Sequence, residues 1–414
     1  MFEAVLYLVE VALCDTLRKR ERMKIYYISN IQDKNLESLY AYLNEKKEIA
    51  LDIETTGLSP QKDNLCSIQI AVGKTIWILH IIFLGKNVLD DVMKYINKPE
   101  KRWIIHNAKF ELQFFYSLGY QIQAQIYDTM LAESCLMQGK SKGKVSLAYI
   151  VKKYCETTLD KGMQTSDWSR LMSRKQQTYA ANDVLFLKEI KKLQKIHLEQ
   201  EGLVKTVRLE NKAVKATAFL EFSGITFDSV KAQILLKSYK KLVENSNQEF
   251  DSLGIKPNSP RKLKQALRER GIMVDSTDKK TLAQFVEYPL IEKILKYKRL
   301  EKKKQCVEKM LENMDESTFR IHAHYSQNFT STGRYSCSEP NLQGIPHEEE
   351  IRELFTAPKN KMFVIGDYSQ MELRIMAEVT EDPTMIEAYQ KGMDLHIQTA
   401  SIVNGKAYDK ITCK

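Results

Sequence analysis

The chain has 414 residues, of which 43% are hydrophobic and 28% charged, and only 16 are Gly and 9 are Pro. This composition excludes disordered and fibrous proteins and predicts a globular protein of about two or three domains. Lys and Arg outnumber Asp and Glu by 63 to 53, and the resulting net charge of +10 suits a polyanionic partner without identifying one. The 7 cysteines show no CxxC spacing, so they indicate neither a zinc ribbon nor a disulfide framework, and a reducing, cytoplasmic location fits them best.

The first element along the chain is an apolar run at residues 2–14, which basic side chains follow. The run is too short to cross a bilayer, and a signal peptide would carry its positive charges ahead of the apolar run. We therefore interpret residues 1–22 as an N-terminal extension, such as a short docking helix, and expect no membrane partner. A strand-like sequence begins at Met23.

Residues 23–200 alternate short β-rich and helical stretches, which predicts one α/β domain. The predicted strands cover residues 48–53, 65–72, 75–82 and 103–105, and the predicted helices cover 36–43, 88–96, 110–118 and 129–137.

Residues 201–414 have a different pattern, which begins with long Lys- and Glu-rich helical stretches and predicts a helical arm. The arm helices are expected at residues 204–221, 229–253 and 289–314. β-character returns at residues 319–329 and 362–366, and helices follow from Gln370 onward.

Acidic side chains mark the first candidate site. Asp52 and Glu54 end a predicted strand and lie on the same face, because side chains alternate along a strand. Glu111 stands in a helix that follows another strand, and Tyr179 and Asp183 are four residues apart, hence on one helical face. Carboxylates and a phenol from separated segments are what two-metal phosphodiester hydrolysis requires, because the cations neutralise the phosphate and activate water.

The sequences DIETTGL, HNAKFE and YAAND, between about residues 49 and 187, resemble the three motifs of the DEDD exonuclease superfamily, in the subtype with Tyr in the third motif. The resemblance implies a ribonuclease H-like fold and removal of nucleotides from 3′ ends. It implies one cation held by Asp52, Glu54 and Asp183. A second cation would be held by Asp52 and Glu111, and Tyr179 would orient the attacking water. The expected ions are Mg²⁺ or Mn²⁺, two per active site.

Further positions of this region resemble the same superfamily. Leu58 resembles the apolar residue that wedges the terminal base, and Asn107 is expected to contact the substrate. Glu111 replaces the Asp that is usual in the family, so its carboxylate reaches one methylene further. Asp128 resembles a recurrent family position and also fits a helix N-cap, and both interpretations stay open. The segment 159–168 also occurs in ribonuclease D-like enzymes, so it does not distinguish DNA from RNA.

The blocks TSTGRYS, PNLQGIP, DYSQMEL and GMDLH, in this order between about residue 222 and the end, resemble family A DNA polymerases. Taken alone, Asp367 would suit either a cation ligand or an N-cap. The resemblance implies that Asp367 binds both polymerase cations, with the backbone carbonyl of Tyr368 beside it. Glu372 resembles the steric gate that leaves no room for a ribose 2′-hydroxyl.

Other residues of these blocks resemble polymerase contacts to DNA and nucleotide. Arg334 and Gln343 resemble side chains that reach minor-groove acceptors at the primer terminus. Gln370 is expected to bind substrate, and His396 resembles a contact to the triphosphate. The basic residues 259–270 resemble the tip of a polymerase thumb, where cations pair with phosphates of duplex DNA.

Together the resemblances imply a ribonuclease H-like exonuclease domain (residues 23–200), followed by a mostly helical thumb and an incomplete α+β palm (residues 201–414). The sequence stops before the fingers helix and the second metal-binding Asp of family A polymerases. We therefore expect a 3′-5′ proofreading exonuclease of DNA replication and repair. Template-directed nucleotide transfer is expected only if the missing C-terminal half is supplied. An incomplete reading frame, a split gene and a truncated chain kept for its nuclease all stay open.

The expected partners are single-stranded 3′ ends and primer-template duplex DNA. Deoxynucleoside triphosphates are expected only with the missing half, which a separate C-terminal polypeptide would carry. Two alternatives remain. One is a free-standing DEDD exonuclease that resembles ribonuclease D, and the other is a non-catalytic DNA-binding accessory subunit whose carboxylates are structural.

Overall fold

The computed structural model describes residues 24–72, 75–137 and 145–411, so the interpretation of residues 1–22 as an extension concerns a segment outside the described residues. Contacts divide the chain into two compact units, with the boundary between Thr356 and Ala357. Within the described ranges, no helix is both long and apolar enough to cross a membrane.

The first unit begins with a mixed sheet, for which the described residues supply six strands. They are β1 (Lys24–Ile28), β2 (Glu48–Thr55), β3 (Leu65–Val72), β4 (Thr75–His80), β5 (Arg102–Ile105) and β6 (Gln125–Asp128). Their order is β1-β4-β3-β2-β5-β6, in which β3 runs antiparallel to both neighbours and the other pairs are parallel. Every side chain of β3 is buried, because the strand is central and helices cover both faces of the sheet.

Helices on the two faces of the sheet form two separate apolar cores. The helices of this region are α1 (Asn35–Glu45), α2 (Ile81–Leu84), α3 (Lys86–Ile96), α4 (Lys109–Ser117), α5 (Thr129–Leu136), α6 (Leu147–Cys155), α7 (Arg174–Leu185) and α8 (Leu187–Gln200). One core contains residues of α1, α3 and α4 with Trp103 of β5, and the other contains residues of α6, α7 and α8 with Ala50 of β2. Since side chains alternate along β2, Asp52 and Glu54 lie on the same face as Ala50. The α/β class predicted for this region is confirmed.

The remainder of the first unit is mostly helical. Its elements are α9 (Val204–Ser223), β7 (Ile225–Thr226), α10 (Ser229–Ser252), α11 (Pro260–Arg268), α12 (Lys279–Leu282), α13 (Pro289–Glu312), β8 (Met314–Asp315), β9 (Arg320–Ile321), β10 (His324–Ser326), β11 (Ser336–Ser338) and α14 (Glu349–Arg352). The long helices α10 and α13 pack together around an apolar core that includes Phe250 and Tyr297. At α11 the side chains of Arg261, Lys262 and Arg268 are exposed to solvent.

Helix α9 packs against α4, α5 and β6. Lys109 Nζ of α4 forms a largely buried ion pair with Glu221 Oε1 of α9, at 2.6 Å. Asn211 Oδ1 of α9 accepts a hydrogen bond from the backbone N–H of Asp128, at 2.8 Å, beside the edge strand β6. Contacts therefore continue across residue 200, the predicted domain boundary.

The described residues of the second unit form three α-helices, namely α15 (Met371–Thr380), α16 (Pro383–Gln390) and α17 (Leu395–Asn404), and a short 3-10 helix at Tyr408–Lys410. The strand predicted at residues 362–366 is wrong. The backbone there is irregular, and the side chains of Val364 and Ile365 are 92% and 90% exposed. A strand needs the hydrogen bonds of a neighbouring strand, and none of the described strands pairs with this segment.

Candidate active site

The sheet and one helix bring together carboxylates from distant parts of the sequence. Asp52 and Glu54 lie near the carboxyl end of β2, and Asp183 lies in the last turn of α7. One carboxylate oxygen from each of these residues lies within 4.8 Å of the others. Helix α7 begins at a capping box, in which Ser173 and Gln176 satisfy each other's backbone N–H groups. This cap fixes where α7 begins and so where Asp183 lies against β2.

The electrostatics of this group follow from burial and from repulsion between like charges. Burial, together with the charges of Asp52 and Asp183, raises the pKa of Glu54 to about 10. Burial and the charge of Asp183 also raise the pKa of Asp52 well above its usual value. Burial raises the pKa of Asp183 to about 6, although the charge of Lys161 acts in the opposite direction. Without a cation the group therefore holds protons, and a divalent cation relieves the same repulsion.

Glu111 joins the group from the first turn of α4. It is only 2% exposed, and a hydrogen bond connects its carboxyl group to that of Asp52. Burial raises the pKa of Glu111 well above its usual value, and the charge of Asp52 adds to this effect. Its Oε2 atom is buried and has no hydrogen-bond partner among the described residues. Such an oxygen is a ready ligand for a cation.

Asp128 is the N-cap of α5, where its carboxylate accepts hydrogen bonds from the backbone N–H groups of Met130 and Leu131. The same carboxylate accepts from the backbone N–H groups of Asn107 and Ala108, at 3.1 and 2.8 Å. Asp128 therefore fixes the loop that leads into α4 and positions Glu111. Of the two interpretations open from the sequence, the N-cap is the one that these contacts show.

Replacing Asp128 with Ala removes the acceptor of these buried N–H groups. We expect the free energy of unfolding to fall by about 2–4 kcal/mol, measured by urea denaturation, because a cap and buried donors are lost together. Asp278→Ala is the matched control, since Asp278 caps the exposed short helix α12 by accepting from Thr281. An equal loss in both variants would show that Asp128 acts only as an ordinary surface cap.

Tyr179 lies one turn before Asp183 on α7, and a hydrogen bond joins the two side chains. Burial raises the pKa of Tyr179 far above its usual value, and the nearby carboxylates add to this, so the phenol keeps its proton. Its ring packs against Trp168, with ring centroids 5.9 Å apart.

Burial lowers the pKa of His106 to about 3, so this imidazole is neutral.

Lys161 is a residue of this site to which the sequence analysis gave no role. It is exposed, and its charge lowers the pKa of both Asp52 and Asp183, so it lies close to the carboxylates. It belongs to the segment 159–168, and that family resemblance was the only signal that could have indicated it.

Leu58 lies in the loop after β2 and is 84% exposed. Asp63 holds this loop, because its carboxylate accepts from the backbone N–H of Ser59, at 2.8 Å, and from the hydroxyl of Thr56, at 3.2 Å. A Cβ at Gly57 would lie 2.5 Å from that carboxylate, so a larger residue there would displace the side chain of Asp63. The loop therefore presents an apolar side chain to solvent close to the carboxylates of β2.

Asn107 has a left-handed backbone, with φ at 69°, immediately before α4. It lines a cavity of about 310 Å³ together with Lys109, Asp128 and His324. Arg334 and Gln343 are both exposed on the first unit, and Gln343 Nε2 donates to the backbone carbonyl of Tyr335, at 3.3 Å.

In the second unit, Asp367 and Tyr368 line a cavity of about 530 Å³ together with Arg374 and Glu378. Glu372 and His396 are exposed and do not line that cavity. Among the described residues, Asp367 belongs to no group of three metal-ligating side chains.

Gln370 is the N-cap of α15 and has a left-handed backbone, with φ at 51°. Its side-chain oxygen accepts a hydrogen bond from the hydroxyl of Tyr389, at 3.1 Å. The guanidinium of Arg374 lies over the ring of the same Tyr389, 4.3 Å from its centroid. These contacts join the start of α15 to α16.

Comparisons with known proteins agree with this fold and site. Residues 27–197 match the family model described as 3′-5′ exonuclease, and residues 228–414 match the model described as DNA polymerase family A. Both families use divalent metals, which fits the carboxylate group at β2 and α7. The fold and these matches define the class of the protein. It is an enzyme with an exonuclease domain, followed by a segment that matches family A DNA polymerases.

The relatives identify the family. DNA polymerase I of Aquifex aeolicus is 30% identical over 408 residues, covering 92% of this chain and 68% of that protein. DNA polymerase I of Chloroflexus aurantiacus is 29% identical, covering 89% of this chain and 43% of that protein. The POL domain of Pol1 from M. smegmatis, solved with DNA primer-template and dNTP, has the same fold, with a TM-score of 0.77, 20% identity and coverage of 92% of this chain and 68% of that chain. The chain belongs to DNA polymerase family A, and the resemblance seen in the sequence is confirmed.

Proposed function

We propose that the chain is a 3′-5′ exonuclease that shortens single-stranded DNA by two-metal phosphodiester hydrolysis. The observation that carries the proposal is the group of Asp52, Glu54 and Asp183, three carboxylates from distant sequence positions with oxygens within 4.8 Å of one another. The match of residues 27–197 to the exonuclease family model supports the same reaction.

The donor set fits hard divalent cations such as Mg²⁺ and Mn²⁺, because it consists of carboxylate oxygens. Asp52, Glu54 and Asp183 would hold one ion, and Asp52 with Glu111 would hold a second. The unpartnered Oε2 atom of Glu111 supports the second assignment, since a buried carboxylate oxygen is costly unless a donor or a cation reaches it. When bound, two such ions neutralise the phosphate and lower the pKa of the attacking water.

Other side chains of the site have proposed roles in positioning the substrate. Tyr179, which stays protonated, would orient the attacking water through its hydroxyl. Leu58 would pack against the terminal base, because an exposed apolar side chain gains by contact with a base that has left its stack. Lys161 would attract the phosphate, since its charge already acts on Asp52 and Asp183.

The part of the chain after residue 200 is proposed to bind primer-template DNA through α11 and the residues around Arg334. The exposed cations of α11 would pair with duplex phosphates, and Arg334 and Gln343 would contact the minor groove at the primer terminus. The match of residues 228–414 to the polymerase family model supports this assignment.

In the second unit, Asp367 and the backbone carbonyl of Tyr368 are proposed to bind the polymerase cations. Glu372 would exclude ribonucleotides, and Gln370 and His396 would contact the incoming deoxynucleoside triphosphate. Nucleotide transfer would then depend on a separate C-terminal polypeptide that carries a second metal-binding Asp. Among the described residues Asp367 belongs to no group of three metal-ligating side chains, which supports that dependence.

The match of residues 228–414 to a DNA polymerase family model favours DNA over RNA as the substrate, because a free-standing ribonuclease D-like enzyme predicts no such segment. The clustered carboxylates argue against a purely structural role, since carboxylates this close repel one another unless a cation or protons neutralise them. A cytoplasmic location remains part of the proposal, since the five cysteines among the described residues form no disulfide bond.

The test is cleavage of a 5′-labelled single-stranded DNA by the purified chain with Mg²⁺ or Mn²⁺. We expect a ladder of products shortened from the 3′ end, no products in EDTA, and slower cleavage of a fully paired duplex, because its terminal base must leave the stack. An RNA strand of the same sequence should be cleaved more slowly. Equal cleavage in EDTA, or preference for RNA, would contradict the proposal.

Glu111 supplies a graded test of the second cation. Glu111→Gln should slow cleavage, because an amide is a weaker cation ligand than a carboxylate, whereas Glu111→Asp should retain or raise the rate. The matched control is Glu201→Gln, at an exposed position. Rates would be compared at saturating Mn²⁺, and equal effects of Glu111→Gln and Glu201→Gln would place Glu111 outside the site.

Binding of primer-template DNA by the chain is tested separately, by measuring its affinity for a primer-template duplex as the salt concentration increases. We expect binding that weakens steeply with salt, because phosphate contacts release counterions. Primer extension should then appear only after a C-terminal polypeptide with the second Asp is added, and Asp367→Ala should abolish it. Extension by the chain without that addition would contradict the proposed dependence.

A further inference from the structure

A concave basic surface lies at the end of the sheet opposite the carboxylates. It is a cavity of about 600 Å³ between the first residues of β5 and β6 and the helices α8 and α9. Arg102 and Gln125 are the first residues of their strands, whereas Glu111 follows the other end of β5. The cavity is therefore distinct from the proposed exonuclease site.

Cations dominate the polar lining of this cavity. They come from β5, α8 and α9, and they are Arg102, Lys191, Lys195, Arg208, Lys212 and Lys215. Glu48 accepts hydrogen bonds from both Arg102 and Lys191, and Glu199 pairs with Lys195 at 3.6 Å. These two carboxylates leave most of the positive charge of the lining uncompensated.

The two cations that α9 contributes one turn apart are the most available. Arg208 and Lys212 are exposed, and within the described ranges neither has a hydrogen bond or an ion pair. Lys215, one turn further on, instead donates to the backbone carbonyls of Ile122 and Gln123, at 3.2 and 3.3 Å. Arg208 and Lys212 are thus free to bind an anion.

Apart from Gln125 and Asn211, the remaining lining is apolar or aromatic. It includes Ile126, Tyr127, Leu198, Val204 and Val207. Burial lowers the pKa of Lys191, and the charges of Arg102 and Lys195 add to this, although Glu48 acts in the opposite direction. The cations are therefore close enough to repel one another, and a multivalent anion would relieve that repulsion. A volume of this size accommodates a nucleotide-sized ligand.

We propose that this cavity binds a ligand with two or more phosphate groups. Arg208 and Lys212 contact the phosphates directly, and an apolar or aromatic part of the ligand packs against the apolar lining residues. Guanidinium groups suit phosphate because they offer paired N–H donors in one plane. The phosphates have two potential sources, a free nucleoside polyphosphate and the backbone of a nucleic acid strand, and both present the same chemistry.

The test is equilibrium binding of ATP, inorganic tripolyphosphate and a short oligothymidylate to the full chain in EDTA, where the exonuclease is inactive. The test protein is a double variant that carries Arg208→Gln and Lys212→Gln. It is compared with a control double variant that carries Lys237→Gln and Lys241→Gln on α10. The control pair is also exposed and one turn apart, and it removes the same charge. Circular dichroism would verify that both variants are folded.

We expect the Arg208 and Lys212 variant to weaken binding of a phosphate-bearing probe at least about tenfold, and the control pair to have little effect. Loss of ATP and tripolyphosphate binding would identify a free polyphosphate as the source. Loss of oligothymidylate binding alone would identify the backbone of a nucleic acid strand as the source of the phosphates. No binding of any probe by the unaltered chain, or equal losses in both variants, would overturn the proposal. None of these binding measurements depends on exonuclease activity, because they are made in EDTA.

Discussion

Replacing Asp52 with Ala will reduce the rate of 3′-end cleavage at least about 10³-fold, equivalent to a loss of about 4 kcal/mol of transition-state stabilisation. The effect is expected to be the largest of any single substitution, because Asp52 is proposed to ligate both cations. Its carboxyl group is close to those of Glu54 and Asp183 and is hydrogen-bonded to Glu111. The measurement is the single-turnover rate on a 5′-labelled single strand with saturating Mg²⁺.

Asp275→Ala is the matched control, because Asp275 is an exposed carboxylate far along the chain in the helical part of the first unit. That variant should keep the rate of the unaltered chain. Circular dichroism distinguishes lost chemistry from lost structure. A folded Asp52→Ala protein that retains full activity would show that the carboxylate group is not the catalytic site.

In EDTA the Asp52→Asn protein will be more stable than the unaltered chain. Added Mg²⁺ will stabilise this variant less than it stabilises the unaltered chain. Burial and mutual repulsion raise the pKa of Asp52 well above its ordinary value and that of Glu54 to about 10. The folded chain therefore holds more protons than the unfolded chain above about pH 4, where free carboxyl groups ionise, and its stability falls as the pH rises. An amide at position 52 removes one of the repelling charges.

The measurement is the free energy of unfolding from urea titrations at about pH 5 and pH 8, with EDTA or MgCl₂. For the unaltered chain, Mg²⁺ at about 100 times its dissociation constant should add about 2.7 kcal/mol. The gain should be larger at the higher pH, where fewer protons compete for the carboxylates. Asp275→Asn should behave like the unaltered chain. A Mg²⁺ effect that Asp52→Asn leaves unchanged would place the cation elsewhere.

Much of the sheet follows from sequence patterns. The predicted strand at residues 65–72 coincides with β3, because a continuous apolar run of eight residues is typical of a fully buried central strand. Strand β6 was not predicted, since its four residues alternate weakly and its pairing with β5 depends on tertiary context. The strand predicted at residues 362–366 failed for the related reason that apolar residues alone do not supply a pairing partner.

The candidate site was predictable to the extent that local periodicity determines it. Alternation along β2 puts Asp52 and Glu54 on one face, and a helical turn puts Tyr179 beside Asp183, whatever the rest of the fold. The hydrogen bond between Glu111 and Asp52, and the proximity of Lys161, depend on how distant segments pack. No local pattern encodes those contacts.

Helix α9 has a practical consequence for dissecting the enzyme. A polypeptide cut at residue 200 would lose Glu221, which forms an ion pair with Lys109. It would also lose Val214 and Ala218, which complete the apolar core on one side of the sheet. Because that apolar face would be exposed to solvent without α9, such a fragment would express poorly as folded protein. The smallest portion to clone as an autonomous nuclease therefore extends through Ser223, where α9 ends.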